Sequence, residues 1–77
     1  MPISGVVVSC LPGRSETVFE EISSLNGVEV HGVLPDGRIV AVVEAENVDA
    51  EVSLVAVMHE IDGVAAVSLA YHNFEEL

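Results

Sequence analysis

A short signature typical of a helix end occurs twice in this chain, 36 positions apart. The two copies are Leu25-Asn26-Gly27-Val28 and Ile61-Asp62-Gly63-Val64. Glycine commonly ends a helix because it adopts the left-handed backbone conformation without a steric penalty. A β-branched residue follows each glycine, so each copy predicts a helix that leads into a strand.

Four segments have the composition and alternation of β-strands. The third contains the longest β-branched run in the chain, which predicts a central strand of the sheet. The turn Pro35-Asp36-Gly37 precedes it, so we expect the second and third strands to form a hairpin. The predicted strands cover residues 3–11, 28–34, 38–46 and 64–72.

Two helices are predicted between these strands. Ser15 is expected to cap a helix that runs to about Ser24, and either Asn47 or Asp49 is expected to cap a helix that runs to about Glu60. Apolar residues three or four positions apart predict the faces that pack on the sheet. These residues are Val18, Ile22 and Leu25 in the first helix, and Val48, Val52, Val55 and either Met58 or His59 in the second.

This order of elements describes two strand-helix-strand units joined by a hairpin. Right-handed crossovers then place both helices on one face of a four-stranded antiparallel sheet. The sequence therefore predicts an α+β protein with a ferredoxin-like βαββαβ fold, formed by a single domain over residues 1–77. In this fold the first and third strands are central, and the second and fourth are edges.

The charge of the chain limits its partners. Thirteen acidic residues against Arg14 and Arg38 give a formal net charge of −11 at pH 7, which disfavours nucleic acid and favours a basic partner. Cys10 is the single cysteine, so no internal disulfide is possible and a reducing compartment is expected. The start of the chain lacks the positive charge of an export signal, and no apolar run approaches the ~20 residues of a membrane span. We therefore expect a cytoplasmic protein with no membrane association.

The sequence disfavours metal binding, nucleophilic catalysis and acid-base catalysis. His31 and His72 are predicted on opposite edge strands, about 14 Å apart at ~4.8 Å per strand, so they are not expected to share a metal ion. Cys10 is expected to act as a small buried hydrophobe rather than a nucleophile. Glu44 and Glu46 could serve in acid-base catalysis, but solvation is the simpler interpretation because no pocket is predicted around them. No cofactor is predicted.

The face of the sheet opposite the helices is the predicted interaction surface. Its apolar centre and acidic rim would match a peptide that combines a hydrophobic stretch with positive charges. The alternative is that a homodimer buries the same face. Alternation assigns to it Val7, Ser9, Val33, Val40, Val42, Ala66, Ser68 and Ala70, with Glu29, His31, Glu44 and His72 around them, and assigns Val67, Leu69 and Tyr71 to the core side.

Three segments, residues 42–46, 63–72 and 27–31, resemble the NapD family of small cytoplasmic chaperones for periplasmic nitrate reductase. The resemblance implies a ferredoxin-like fold without enzymatic activity. It also implies binding of the twin-arginine signal peptide of the reductase's catalytic subunit, which delays export until its molybdenum cofactor is inserted. The positions carried over from the matching strands are Glu44, Glu46, Ser68, Tyr71 and His72.

The residues expected to bind the peptide come from two sources, the open face and the strands that carry this resemblance. The protein is expected to be a monomer or a weak homodimer. The alternative function is a regulatory module of the same fold that binds a small effector as a homodimer. The expected peptide-binding residues are Val7, Ser9, His31, Val40, Val42, Glu44, Glu46, Ser68, Ala70 and His72.

Overall fold

Two helices and four strands alternate in the order that the sequence predicts. The computed structural model describes residues 2–74, and side chains over residues 3–70. The strands form one antiparallel sheet in the order β2-β3-β1-β4, so β1 and β3 are central, and the ferredoxin-like prediction is confirmed. The elements are β1 (Pro2–Cys10), α1 (Ser15–Ser23), β2 (Val28–Val33), β3 (Ile39–Glu44), α2 (Val48–Glu60) and β4 (Val64–Phe74).

Both helices cover the same face of the sheet, where they form a single hydrophobic core. Its central members are at most 1% exposed, and they come from both central strands and both helices. The alternation predicted for β1 and β3 is therefore confirmed, and their other face is left without a helix. The core residues are Val6, Val8, Val18, Ile22, Ile39, Ala41, Val43 and Met58.

A register shift in β2 changes the face of one predicted surface residue. Val30 pairs with Ala41 and Gly32 pairs with Val40, so His31 is an extra residue in the strand. One extra residue reverses the alternation beyond it. Val33 consequently pairs with the core residue Ile39, and the prediction that Val33 lies on the open face is wrong.

A second shift occurs in β4. Leu69 pairs with Val6 and Tyr71 pairs with Gly5, so Ala70 is an extra residue between them. A further shift lies near the start of β4, where Ala66 pairs with Ser9 and Val64 pairs with Cys10, so Ala65 is also an extra residue. The predicted alternation holds over residues 66–69, between the two shifts. The predicted orientations of Tyr71 and His72 concern side chains that lie outside the described residues.

The helix ends differ in how they are capped. Asn47 caps α2 as predicted, because its side-chain oxygen accepts the N–H of Ala50 at 2.8 Å. The predicted cap of α1 is wrong: Arg14 occupies the cap position without a side-chain hydrogen bond. Ser15 is already the first helical residue, and its hydroxyl donates to the carbonyl of Gly37 at 3.3 Å.

The predicted buried face of α2 is only partly correct. Met58 is buried, but Val48 and Val52 are 42% and 61% exposed. Glu51 is only 5% exposed, and its carboxylate accepts a 2.7 Å hydrogen bond from the hydroxyl of Ser4 in β1. Apolar residues occur on several sides of α2, so their spacing alone does not define which side faces the sheet. Neither helix within residues 2–74 has the length and apolar character needed to cross a membrane.

Candidate functional site

The uncovered face of the sheet has an apolar centre formed by the two central strands. Val40 of β3 pairs with Val7 of β1, and Val42 pairs with Gly5. The three valines are half-buried although no helix covers them, because neighbouring strands shield their sides. The centre of this face therefore offers apolar contact to a ligand.

The neighbouring edge strand continues this surface with small side chains. Ser68 of β4 pairs with Val7, and Ala66 pairs with Ser9. Ser68 and Ala66 are exposed, whereas Ser9 is half-buried. The side chains that β4 adds to the open face beside the central valines are therefore small.

Two glutamates flank the apolar centre, one on the side of β2, away from β4, and one at the end of β3. Glu29 of β2 pairs with Val42 and is exposed, and its carboxylate lies 3.9 Å from the Nε2 atom of His31. Glu44 ends β3 on the same side as Val40 and Val42, and it is also exposed. The face therefore presents carboxylates next to apolar contacts.

The chain's two arginines do not neutralise these carboxylates, because both have other acidic partners. Arg14 pairs with Asp62 at 3.0 Å, and Arg38 pairs with Asp36 at 2.8 Å. The backbone N–H of Arg38 donates to the Asp36 carboxylate, and this hydrogen bond, with help from the guanidinium, lowers the pKa of Asp36 below its ordinary value. With its arginines engaged, a chain of net charge −11 favours a cationic ligand.

The predicted site residues fall into three groups. Val7, Ser9, Val40, Val42 and Ser68 lie together on the open face, with Glu44 at its end. His31 and Ala70 are extra residues at register shifts in the two edge strands. The side chain of His72 lies outside the described residues, although its backbone pairs with Ser4. Glu46 lies beyond the end of β3 and lines a separate groove.

That groove lies between the end of β3 and one side of α2. Its volume is about 410 Å³. The sequence alone does not reveal this groove, because a groove between two elements depends on how α2 docks. The one signal in the sequence is a pair of glutamates at the end of an apolar strand. The lining residues are Asn26, Glu44, Ala45, Glu46, Ala50, Ser53, Leu54 and Val57.

The described side chains of the two surfaces do not form a metal-binding cluster. Across the part of the chain whose side chains are described, no three His, Cys, Asp or Glu residues lie close enough to hold a metal ion. Cys10 is half-buried and packs against the core with a free thiol. The arrangement is suited to binding through apolar contact and negative charge.

Comparison with known proteins identifies relatives along nearly the whole chain. A family model described as NapD protein matches residues 1–76. The chaperones NapD of Escherichia coli K12 and of Shigella flexneri are each 31% identical over 75 residues, which is 96% of this chain and 86% of theirs.

Two solved structures share the fold. The solution structure of the E. coli Tat proofreading chaperone NapD superimposes with a TM-score of 0.84 at 31% identity, over 96% of this chain and 79% of that one. The C-terminal domain of MgtC from Mycobacterium tuberculosis gives a TM-score of 0.50 at 21% identity, over 95% and 88% of the two chains. The second likeness concerns the fold alone.

Proposed function

The chain belongs to the NapD family, and on this basis we propose that it binds the twin-arginine signal peptide of the catalytic subunit of a periplasmic nitrate reductase. One relative of known structure is a Tat proofreading chaperone. Binding takes place in the cytoplasm, before export, and it delays export until the molybdenum cofactor has been inserted. The protein acts by holding the peptide, without a catalytic step, a nucleic acid or a membrane, as a monomer or a weak homodimer.

The observation that carries this proposal is the uncovered sheet face. A twin-arginine signal peptide combines a positively charged segment with a hydrophobic one. The half-buried valines at positions 7, 40 and 42 suit the hydrophobic segment, and Glu29 and Glu44 beside them suit the charged one. The net charge of −11 attracts the arginines at long range, which accelerates association and is screened over about 10 Å in 0.1 M salt.

Calorimetric titration with a synthetic signal peptide tests the proposal. In the variant Val42→Asp, a charge stands at the centre of the face, where it would be desolvated against the peptide. We expect the variant to remain folded and to lose about 2 kcal/mol of binding free energy or more, which is roughly a 30-fold loss of affinity. The matched control is Val52→Asp, because Val52 is 61% exposed on α2, in the helical layer. It should bind as the wild type does.

Two results would contradict the proposal. An equal effect of both substitutions would show that the added charge acts without regard to position. Sedimentation addresses the alternative in which the open face joins two copies of the chain. A wild-type dimer that Val42→Asp converts to monomers, with neither protein binding the peptide, would favour the regulatory module.

A further inference from the structure

The internal repeat of the sequence is also a repeat of tertiary contacts. Gly27 and Gly63 have positive φ angles of 90° and 100°. A Cβ atom on Gly27 would lie 3.1 Å from a methyl of Leu54, and one on Gly63 would lie 3.0 Å from a methyl of Val18. The carbonyl of each glycine also accepts a backbone N–H from the end of a central strand, at 2.7 and 2.8 Å. Each helix-exit glycine thus packs against the helix of the other strand-helix-strand unit. The two glycines are 36 residues apart, and so are the helix residues that they contact.

In one unit an arginine side chain covers this junction. The Cβ and Cγ atoms of Arg14 lie 2.9 and 3.3 Å from the place where a Cβ of Gly63 would stand. Its Nη1 atom donates to the carboxylate of Asp62, the residue before the glycine, at 3.0 Å. The aliphatic stem therefore lies over the glycine beside Val18, and the guanidinium pairs with a carboxylate at the edge of the junction.

In the other unit the equivalent positions carry smaller or neutral side chains. Ala50 stands four residues before Leu54, as Arg14 stands four before Val18, and Asn26 precedes Gly27 as Asp62 precedes Gly63. The groove of about 410 Å³ opens at this junction, and Asn26, Ala50 and Leu54 all line it. The place of an arginine stem is thus open in this half of the molecule.

We infer that this groove takes an arginine side chain from the signal peptide. The inference rests on the proposed function and assigns one of the peptide's two arginines to a site at the end of the sheet. Leu54 and Val57 line the groove and offer apolar contact to the stem, and Glu46, an exposed residue that also lines it, offers a carboxylate for the guanidinium. A planar guanidinium with five N–H donors matches a carboxylate better than an ammonium does.

The groove lies at the end of the strand that contributes Val40 and Val42 to the open face. Glu44 follows Val42 by two residues in β3, which is about 7 Å along an extended strand, and it lines the groove. A peptide whose hydrophobic segment lies over Val42 can therefore place an arginine in the groove at the end of the strand. The first turn of α2 carries Asp49 and Glu51, which offset the positive end of the helix dipole near a bound cation.

A variant that fills its own groove tests the inference. Ala50→Arg supplies the stem at the position equivalent to Arg14, and adding Asn26→Asp supplies the equivalent of Asp62. We expect the double variant to stay folded and to bind the twin-arginine peptide about tenfold more weakly or worse, as expected when charge-assisted hydrogen bonds are lost. The control Ala56→Arg adds the same positive charge at an exposed position of α2 outside the groove. It should change affinity by less than about threefold.

A second peptide makes the test specific for the arginines. Replacing both of them by glutamine should weaken binding to the wild type, and this difference should become smaller in the filled variant because the groove for one of the arginines is already occupied. Equal effects of Ala50→Arg and Ala56→Arg, or an undiminished difference between the two peptides, would overturn the inference while leaving the sheet-face proposal intact. Failure of the wild type to bind either peptide would instead overturn the proposed function.

If the filled variant does not fold, single glutamate substitutions answer the same question. Glu46→Gln should reduce the difference between the arginine and glutamine peptides, because it removes a carboxylate that lines the groove. Glu60→Gln removes the same charge at the exposed end of α2 and should leave the difference unchanged. Equal reduction in both variants would contradict the assignment.

Discussion

Replacing Gly27 by alanine is expected to destabilise the fold through two separate effects. The first is backbone strain, because a residue with a Cβ at φ +90° lies in the left-handed region, at a cost of about 1–2 kcal/mol. The second is a collision, because the new Cβ would lie 2.7 Å from the carbonyl oxygen of Glu44. That oxygen belongs to the backbone, so β3 itself must move.

The collision also disturbs a hydrogen bond. The backbone N–H of Glu44 donates to the carbonyl of Gly27 at 2.7 Å, and weakening it costs about 0.5–1.5 kcal/mol. The total expected loss for Gly27→Ala is therefore about 1.5–3.5 kcal/mol. A domain of 77 residues has a stability of roughly 4–12 kcal/mol, so this loss is large but leaves a measurable folded population.

A second glycine separates the two effects. Gly13 has a φ of +77°, but a Cβ added there would meet no atom within 4 Å. Gly13→Ala should therefore lose only the strain, about 1–2 kcal/mol. Because the chain has no tryptophan, unfolding in urea is best followed by far-ultraviolet circular dichroism. Equal losses at the two glycines, or a larger loss at Gly13, would refute the reasoning.

Three further predictions concern the core, the charge and the strand order. Ser4→Ala should cost about 1–2 kcal/mol in thermal unfolding, because it removes the buried 2.7 Å hydrogen bond to Glu51, whereas Ser68→Ala at an exposed position should cost under ~0.5 kcal/mol; equal costs would count against a structural role for that bond. Signal-peptide affinity should fall as salt rises, and Glu44→Gln should weaken binding and reduce this salt dependence without changing the unfolding temperature by more than a few degrees; affinity that is independent of salt would indicate a purely apolar interface. Amide exchange should be slowest in β1 and β3, because central strands are paired on both sides; fastest exchange in Val40–Val43 would contradict the strand order.

The fold was predictable because local signals and chain order agree. The two helix-exit glycines, the turn before β3 and the uninterrupted apolar alternation of β1 and β3 each favour the same arrangement. The core-facing residues of both central strands follow directly from a period of two. The pairing between β1 and β3 has no register shift, so both central strands keep that period.

The residues whose positions were predicted wrongly lie where the alternation of a strand is interrupted, or where polar contacts determine which side of a helix faces the sheet. Val33 was assigned to the wrong face because the extra residue His31 in an edge strand has no signature in a single sequence. The rotation of α2 could not be predicted, because its apolar residues suit several faces and the buried pairing of Glu51 with Ser4 depends on tertiary contact. The groove beside Ala50 was missed for the same reason: it exists only once both units are packed together.

Backbone chemical-shift mapping tests the central claim most directly. The ¹⁵N-labelled protein is titrated with the twin-arginine signal peptide while each amide signal is followed. If the peptide binds on the open face, the largest amide chemical-shift changes occur at Val7, Val40, Val42 and Ser68. The amide shifts of Val52 and Ala56, which are exposed on α2, hardly change. Shifts concentrated on the outer surfaces of the helices, with the central strands unaffected, would contradict the claim that the open face binds the signal peptide.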